Sequence, residues 1–170
     1  MSDERTANLL GALALALTDR LVGETEMRAS HGAAAPAALV GIGVAPGFSI
    51  HILARTIGLT HSATVRLVDR LAADGLVERR SGADGRAVAL YLTRRGHARR
   101  RAILKGREKV LAEALSPLSA DEKAILTAQM ETLLGTFTRG RQHADHICRL
   151  CDEDVCPQER CPVECAVPKP

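Results

Sequence analysis

The 170-residue sequence predicts a mainly α-helical fold carrying one small β-hairpin, on three observations. Aromatic residues amount to 2%, with no Trp, one Tyr and two Phe. The core therefore has to come from Leu, Ala, Val and Ile, which suit packed helices better than aromatic-rich sheets. Apolar positions recur at three- and four-residue spacing along most of the chain, the period of helices with one buried face. Only one pair of short strand-like runs flanks a turn-forming stretch. With 46% apolar and 25% charged residues the chain has the balance of a folded domain, and its length allows one domain plus an appendage.

The first helix is predicted from Asp3 to about Glu24, where Leu9, Leu13, Leu17 and Leu21 fall four apart and Leu10 and Ala14 thicken the stripe. The longest apolar run, Leu9 to Leu17, is less than half a membrane span, and Met1 to Asn8 holds two acids and one Arg. Neither a membrane anchor nor a signal peptide is expected, and the protein is expected in the cytoplasm. An Ala- and Gly-rich loop follows, with a short apolar segment around Ala37 to Val44 and a break at Pro46-Gly47. Ser49 is placed to cap a helix whose Ile50, Leu53, Ala54 and Ile57 share a face, and Gly58 ends it. Thr60 caps the next helix, which runs to about Asp74-Gly75 with Leu67, Val68 and Leu71 inward. Leu76 to Arg80 and Ala87 to Leu92, on either side of a Gly- and Asp-containing turn, read as the hairpin.

Thr93 caps a long helix toward Leu115, which Ser116-Pro117 stops. Ser119 and Glu122 form a capping box for a last helix, whose Ile125, Leu126, Met130, Leu133, Leu134 and Phe137 make a stripe that fades near His146. From Cys148 onward no helical period remains, and four of the seven Pro occur there. The chain thus divides into a domain over 1–147 and a tail over 148–170, which needs something other than a hydrophobic core to hold a shape.

Charge is unevenly spread. Between Ser49 and Arg101 there are eleven Arg, no Lys and four acids, a balance of +7 against a total of +3. Guanidinium groups pair bidentately with phosphate, so this segment, about 49–101, is the expected DNA-binding core. Ala54 and Gly58 stand four apart across a short turn, the spacing of a helix-turn-helix in which Leu53, Ile57, Leu59, Thr64 and Leu67 fill the space between the helices. His61, Ser62, Val65, Arg66 and Asp69 are then left facing outward, as reading of a major groove requires. Each has a plainer alternative. Thr60, His61 and Ser62 contact DNA or merely open the helix, Thr60 as its cap. Val65 touches a thymine methyl or packs in part. Arg66 is the strongest candidate for a base or phosphate contact, whereas Arg70 meets the DNA backbone or an acid of its own chain. At the hairpin tip Arg86, held by Asp84, is expected to enter a minor groove, flanked by Arg79, Arg80, Arg94 and Arg95 as phosphate contacts.

The stretch Ser49 to Arg101 resembles a winged helix-turn-helix of the MarR type (multiple antibiotic resistance regulator). The residues that carry the resemblance are Leu53-Ala54, Gly58-Leu59-Thr60, the run Arg66 to Leu71, the run Asp74 to Arg80, Asp84-Gly85-Arg86 and Leu92-Thr93. The order of helices around it is similar over roughly residues 5 to 145. The resemblance implies a homodimer whose N- and C-terminal helices intertwine, with two winged modules on successive major grooves of double-stranded operator DNA. It gives the leucine stripe of the first helix and the Phe137 helix a role as dimer surface. The pattern departs from the family at Thr64-Val65, and the cysteine-rich tail lies outside the family plan.

No Cys occurs before residue 148, and all five follow: Cys148, Cys151, Cys156, Cys161 and Cys165. The spacing C-x2-C-x4-C-x4-C brings four thiolates within reach of one ion. The expected cofactor is Zn2+, with an Fe–S cluster as the alternative and free redox thiols as the plainer reading. Cys165 is a spare or an exchange ligand. His143 and His146, three apart at the end of the last helix, are read as surface residues.

These features predict a sequence-specific transcriptional regulator, a repressor acting as a homodimer, responsive through its cysteines to metal or redox state. The competing readings are a redox or electron-transfer protein built on the cysteine cluster and a winged-helix scaffold for protein contacts. No nucleophile triad or phosphate-binding loop accompanies the cysteines, so no enzyme activity and no catalytic residue are expected. The operator and any small-molecule effector are not encoded in a readable form.

Overall fold

A computed structural model describes residues 3–81, 88–156 and 158–168. Its elements in chain order are α1 (Asp3–Ala29), α2 (Ala35–Val44), β1 (Phe48–Ser49), α3 (Ile50–Ile57), α4 (His61–Ala73), β2 (Val77–Ser81), β3 (Val88–Leu92), α5 (Arg94–Leu115), α6 (Ala120–Phe137), α7 (Arg141–Ile147) and α8 (Pro162–Cys165), with a 3-10 turn at Gln158–Arg160. The mainly helical class with a small antiparallel sheet is as the sequence predicts.

The core sits where α2, α3, α4, α5 and the sheet meet. Leu39, Val40 and Ile42 from α2, Leu53 from α3, Leu67, Val68 and Leu71 from α4, Leu90 from β3 and Ile103 from α5 are its largest buried side chains. Contrary to the expected loop with a short apolar segment, Ala35–Val44 forms a complete helix. It is apolar on every side, the pattern of a helix enclosed by others, so it offers no one-faced period to recognise. The first helix also runs past Glu24 to Ala29, where Thr25 and Ala29 are buried against α5 and Arg99 donates to the Arg28 carbonyl at 2.6 Å, closing the helix end.

The helix-turn-helix is set by caps. Ser49 Oγ accepts from the Ile52 amide at 3.2 Å, and Thr60 Oγ1 accepts from Ala63 at 3.2 Å. Gly58 between them has φ +71°, a left-handed turn that an L side chain resists. Thr93 ties the hairpin to α5: its hydroxyl donates to the Gly75 carbonyl at 2.6 Å and accepts from the Gly96 amide at 3.1 Å. The sheet has three strands, not two, in the order β1-β3-β2, all antiparallel. Phe48 and Ser49 pair with Leu90 and Ala89, and Val77 to Ser81 pair with Leu92 to Val88. Two residues are too few to carry an alternation, which is why β1 has no signature in the sequence. The expected hairpin tip, including Asp84 and Arg86, and the start of the second strand at Ala87 lie outside the described residues.

The last helix does not continue to His146. It stops at Phe137, and Gly140 (φ +135°) redirects the chain into a separate α7. The capping box of α6 is present, with Ser119 Oγ accepting from the Glu122 amide and Glu122 accepting from the Ser119 amide. The tail also forms more structure than its sequence suggests. Val163 in α8 is buried, Leu150 packs on the core, and α8 rests on α6 and α7.

Candidate nucleic-acid interface and the cysteine tail

Helix α4 turns Thr64, Leu67, Val68 and Leu71 inward, which leaves His61, Ser62, Arg66, Asp69 and Arg70 exposed and Val65 half-buried. Four of the five positions derived from the sequence as outward are exposed; the fifth, Val65, is partly packed, and Arg70 joins the exposed face. Thr60 is occupied as the cap, with its hydroxyl 3.3 Å from that of Ser62. Arg66 and Arg70 enter no salt bridge among the described residues, so Arg70 has no intramolecular acid there. Together with Leu59, Ala63 and His31 they line a cavity of about 310 Å3 beside the α1–α2 loop.

The strand β2 lies directly against the outer face of α4. Arg79 donates to Asp69 Oδ1 at 2.6 Å, joining β2 to α4. Arg80 stacks over the Tyr91 ring at 4.4 Å and pairs with Glu78. Both guanidiniums expected to meet phosphate are therefore braced by an acid in the free chain, an exposed pairing worth little that competes weakly with a phosphate. Arg94 and Arg95 are exposed at the start of α5.

Helix α7 packs on α3 of the helix-turn-helix. His146 Nδ1 lies 2.8 Å from the carbonyl oxygen of Thr56. A carbonyl only accepts, so Nδ1 carries the proton, and the imidazole satisfies one of the open carbonyls at the α3 C-terminus. A Cβ placed on Gly58 would stand 3.1 Å from His146 Cε1, so that glycine serves both the turn and the imidazole. Arg55 donates to Gln142 at 2.9 Å across the same seam, which opens into a cleft of about 530 Å3. The sequence offered no sign of this contact: His146 is not a free surface residue but a cap for a helix ninety positions earlier.

The cysteine tail is fastened to α7. Arg141 grips Glu164 of α8 through two bonds, at 2.7 and 2.8 Å, and also bonds Asp145 at 2.9 Å. The hydrogen bonds to Glu164 raise the pKa of this guanidinium further. All five cysteines are free thiols. Cys148 and Cys151 perturb one another's titration, and Cys161 perturbs both Cys148 and Cys156. The two thiols of the first pair are shifted in opposite directions. The bond from Cys148, aided by Arg107 and Arg149 and opposed by burial, lowers Cys151 to about 6, while the same bond and burial push Cys148 up. Burial, together with Cys161, raises Cys156. Cys165 is turned aside, its thiol donating to the Glu159 carbonyl at 3.4 Å. Among the described residues no three His, Cys, Asp or Glu side chains already converge on one point as a metal site.

Taken together, a capped helix-turn-helix, an exposed basic second helix and a flanking antiparallel sheet define a winged helix-turn-helix protein. Residues 33–87 match the family model described as MarR family. YusO from Bacillus subtilis is similar at 21% identity and TM-score 0.67, over 78% of this chain and 96% of its own. MarR from E. coli is similar at 26% identity and TM-score 0.61, over 74% and 96%. FabT from Streptococcus pneumoniae, solved in complex with DNA, is similar at 18% identity and TM-score 0.62, over 78% and 94%. No curated protein matches the chain. The chain has the fold of MarR-family transcription regulators. No helix among the described residues is long and apolar enough to cross a membrane.

Proposed function

We propose that the protein is a sequence-specific DNA-binding transcriptional regulator, a cytoplasmic repressor acting as a homodimer, with the cysteine tail as its input end through metal or thiol redox state. The observation that carries this reading is the Asp69–Arg79 contact, which sets strand β2 beside the exposed face of α4 that bears His61, Ser62 and Arg66. A helix for the major groove and a wing for the adjoining minor groove then approach one duplex from the same side. FabT, similar in fold, has been solved with DNA, which supports the same use of this fold here.

The homodimer is supported by apolar surface at both ends of the chain. Leu9, Leu13, Ile125 and Phe137 are 51, 52, 64 and 58% exposed, and α6 has no buried residue among those described. Such a surface on two long helices calls for a partner, and a second copy supplies matching leucines. The test is a footprint on the duplex upstream of the protein's own gene. A two-fold symmetric protected site with half-sites about one helical turn apart is expected; protection by a single half-site, or none at any salt concentration, contradicts the reading.

A further inference from the structure

We propose that the cleft between α3 and the turn from α6 to α7 binds a small dianionic oxyanion, of the phosphate monoester or dicarboxylate class. The site goes beyond the DNA-binding reading and uses none of the side chains assigned to the duplex.

Charge selects the ligand. The cleft holds about 530 Å3, the size of a small-molecule site, and three guanidiniums and two imidazoles line it with no acid among them. Arg141 is engaged by Asp145 and Glu164, so its charge is neutralised within the chain. Arg139 enters no salt bridge among the described residues. Arg55 bonds only the neutral amide of Gln142, at 2.9 Å, which leaves its charge whole. Two uncompensated guanidiniums at one recess match two negative charges, and each fork suits a phosphate or carboxylate group.

The walls favour the same ligand. Helix α3 ends at this cleft, and the open carbonyls of a helix C-terminus repel an anion. His146 covers the Thr56 carbonyl by donating to it from Nδ1 at 2.8 Å. Gln142 uses its amide oxygen on Arg55 and keeps two amide hydrogens to donate. Nearby, His143 Nδ1 is buried with no hydrogen-bond partner among the described residues. Buried polar atoms are nearly always satisfied, so an open one in a cleft wall marks a place shaped for a partner that the chain does not supply. Gly140 turns the backbone between Arg139 and Arg141 at φ +135°, a conformation that L side chains rarely adopt.

The shape decides between a free molecule and a nucleic-acid phosphate. A recess walled by two helices and a turn encloses a small molecule, whereas a duplex needs open surface. No Phe, Tyr or Trp lines it, so it is built to hold charge rather than an aromatic ring. A dianion bridging Arg55 and Arg139 ties the helix-turn-helix to the chain leaving α6.

Calorimetric titration of the full chain with glycerol 3-phosphate and with succinate tests the site, with acetate as the monoanion. Saturable binding of one dianion per chain is expected, the tighter probe naming the class, with acetate about tenfold weaker. Arg55→Gln and Arg139→Gln are each expected to weaken it about tenfold, because a hydrogen bond to a charged group is lost. Both side chains are exposed, and far-ultraviolet dichroism checks that the helices persist in each variant. Lys105→Gln removes an exposed charge outside the cleft and is expected to leave binding unchanged. No saturable binding of either dianion, equal affinity for acetate, or the same loss in Lys105→Gln overturns the site. Displacement of the dianion in step with uptake of the upstream duplex assigns the cleft to a DNA phosphate and overturns the small-molecule reading.

Discussion

His146 and Glu122 both act as single side chains on helix ends, and they differ in how far their partners lie along the chain. Glu122 reaches back three residues to the Ser119 amide and hydroxyl, a local device that is legible from the letters alone. His146 reaches back ninety residues to Thr56, and no local pattern announces such a contact. The Glu122 bonds have a consequence for pH. The Ser119 amide, then its hydroxyl, hold the Glu122 carboxyl below its ordinary value of 4.5. A carboxyl with a depressed folded-state pKa lends stability that is fully present above the unfolded value and lost as pH falls through the folded one. The midpoint of thermal unfolding of Glu122→Gln is therefore expected below that of the parent at pH 7, with the gap closing between about pH 5 and pH 3. A gap of constant size down to pH 3 contradicts the assignment.

The elements divide along the same line. Helices α3, α4, α5 and α6 were all readable because a Ser or Thr cap opens each one, followed in α3, α4 and α6 by an apolar stripe and in α5 by a clear Ser-Pro stop. Helix α2 was not, since a segment such as Ala37 to Ile42, buried all round, has no polar face to set a period. The division of α6 from α7 was also hidden, because Gly140 sits in a stretch whose charged residues continue to look helical. The junction of sheet and α5 offers a direct check on packing. A Cβ on Gly96 would lie 2.0 Å from the Leu76 carbonyl oxygen, a backbone atom with no freedom to swing aside, and Thr93 binds both neighbouring chains there. Gly96→Ala is expected to cost about 1–3 kcal/mol, read as a lowered denaturation midpoint with an unchanged slope in urea. Unaltered stability means that the two segments do not approach this closely.

For the molecule as a whole, the sequence made the outward basic face of α4 legible and left its supports unseen. The concentration of Arg in 49–101 and the helix-turn-helix spacing pointed to α4, and the structure leaves Arg66 and Arg70 exposed there without an ion pair among the described residues. The acid braces on Arg79 and Arg80 and the docking of α7 against α3 depend on where the chain folds back, which composition does not encode. The cysteines were legible as a closely spaced run, whereas the bond from Cys165 to the Glu159 carbonyl was not. The central claim is that one duplex meets the outward face of α4, and Arg66 probes it most directly. The measurement is the affinity of parent and Arg66→Ala for the upstream duplex and for an unrelated duplex, across a series of salt concentrations. The account predicts steep weakening with salt in the parent, about one unit of log–log slope per phosphate neutralised. It predicts a loss of about 1–3 kcal/mol in Arg66→Ala, with a narrowed preference for the upstream duplex. Binding that ignores salt, or an Arg66→Ala variant with unchanged affinity and unchanged preference, contradicts it.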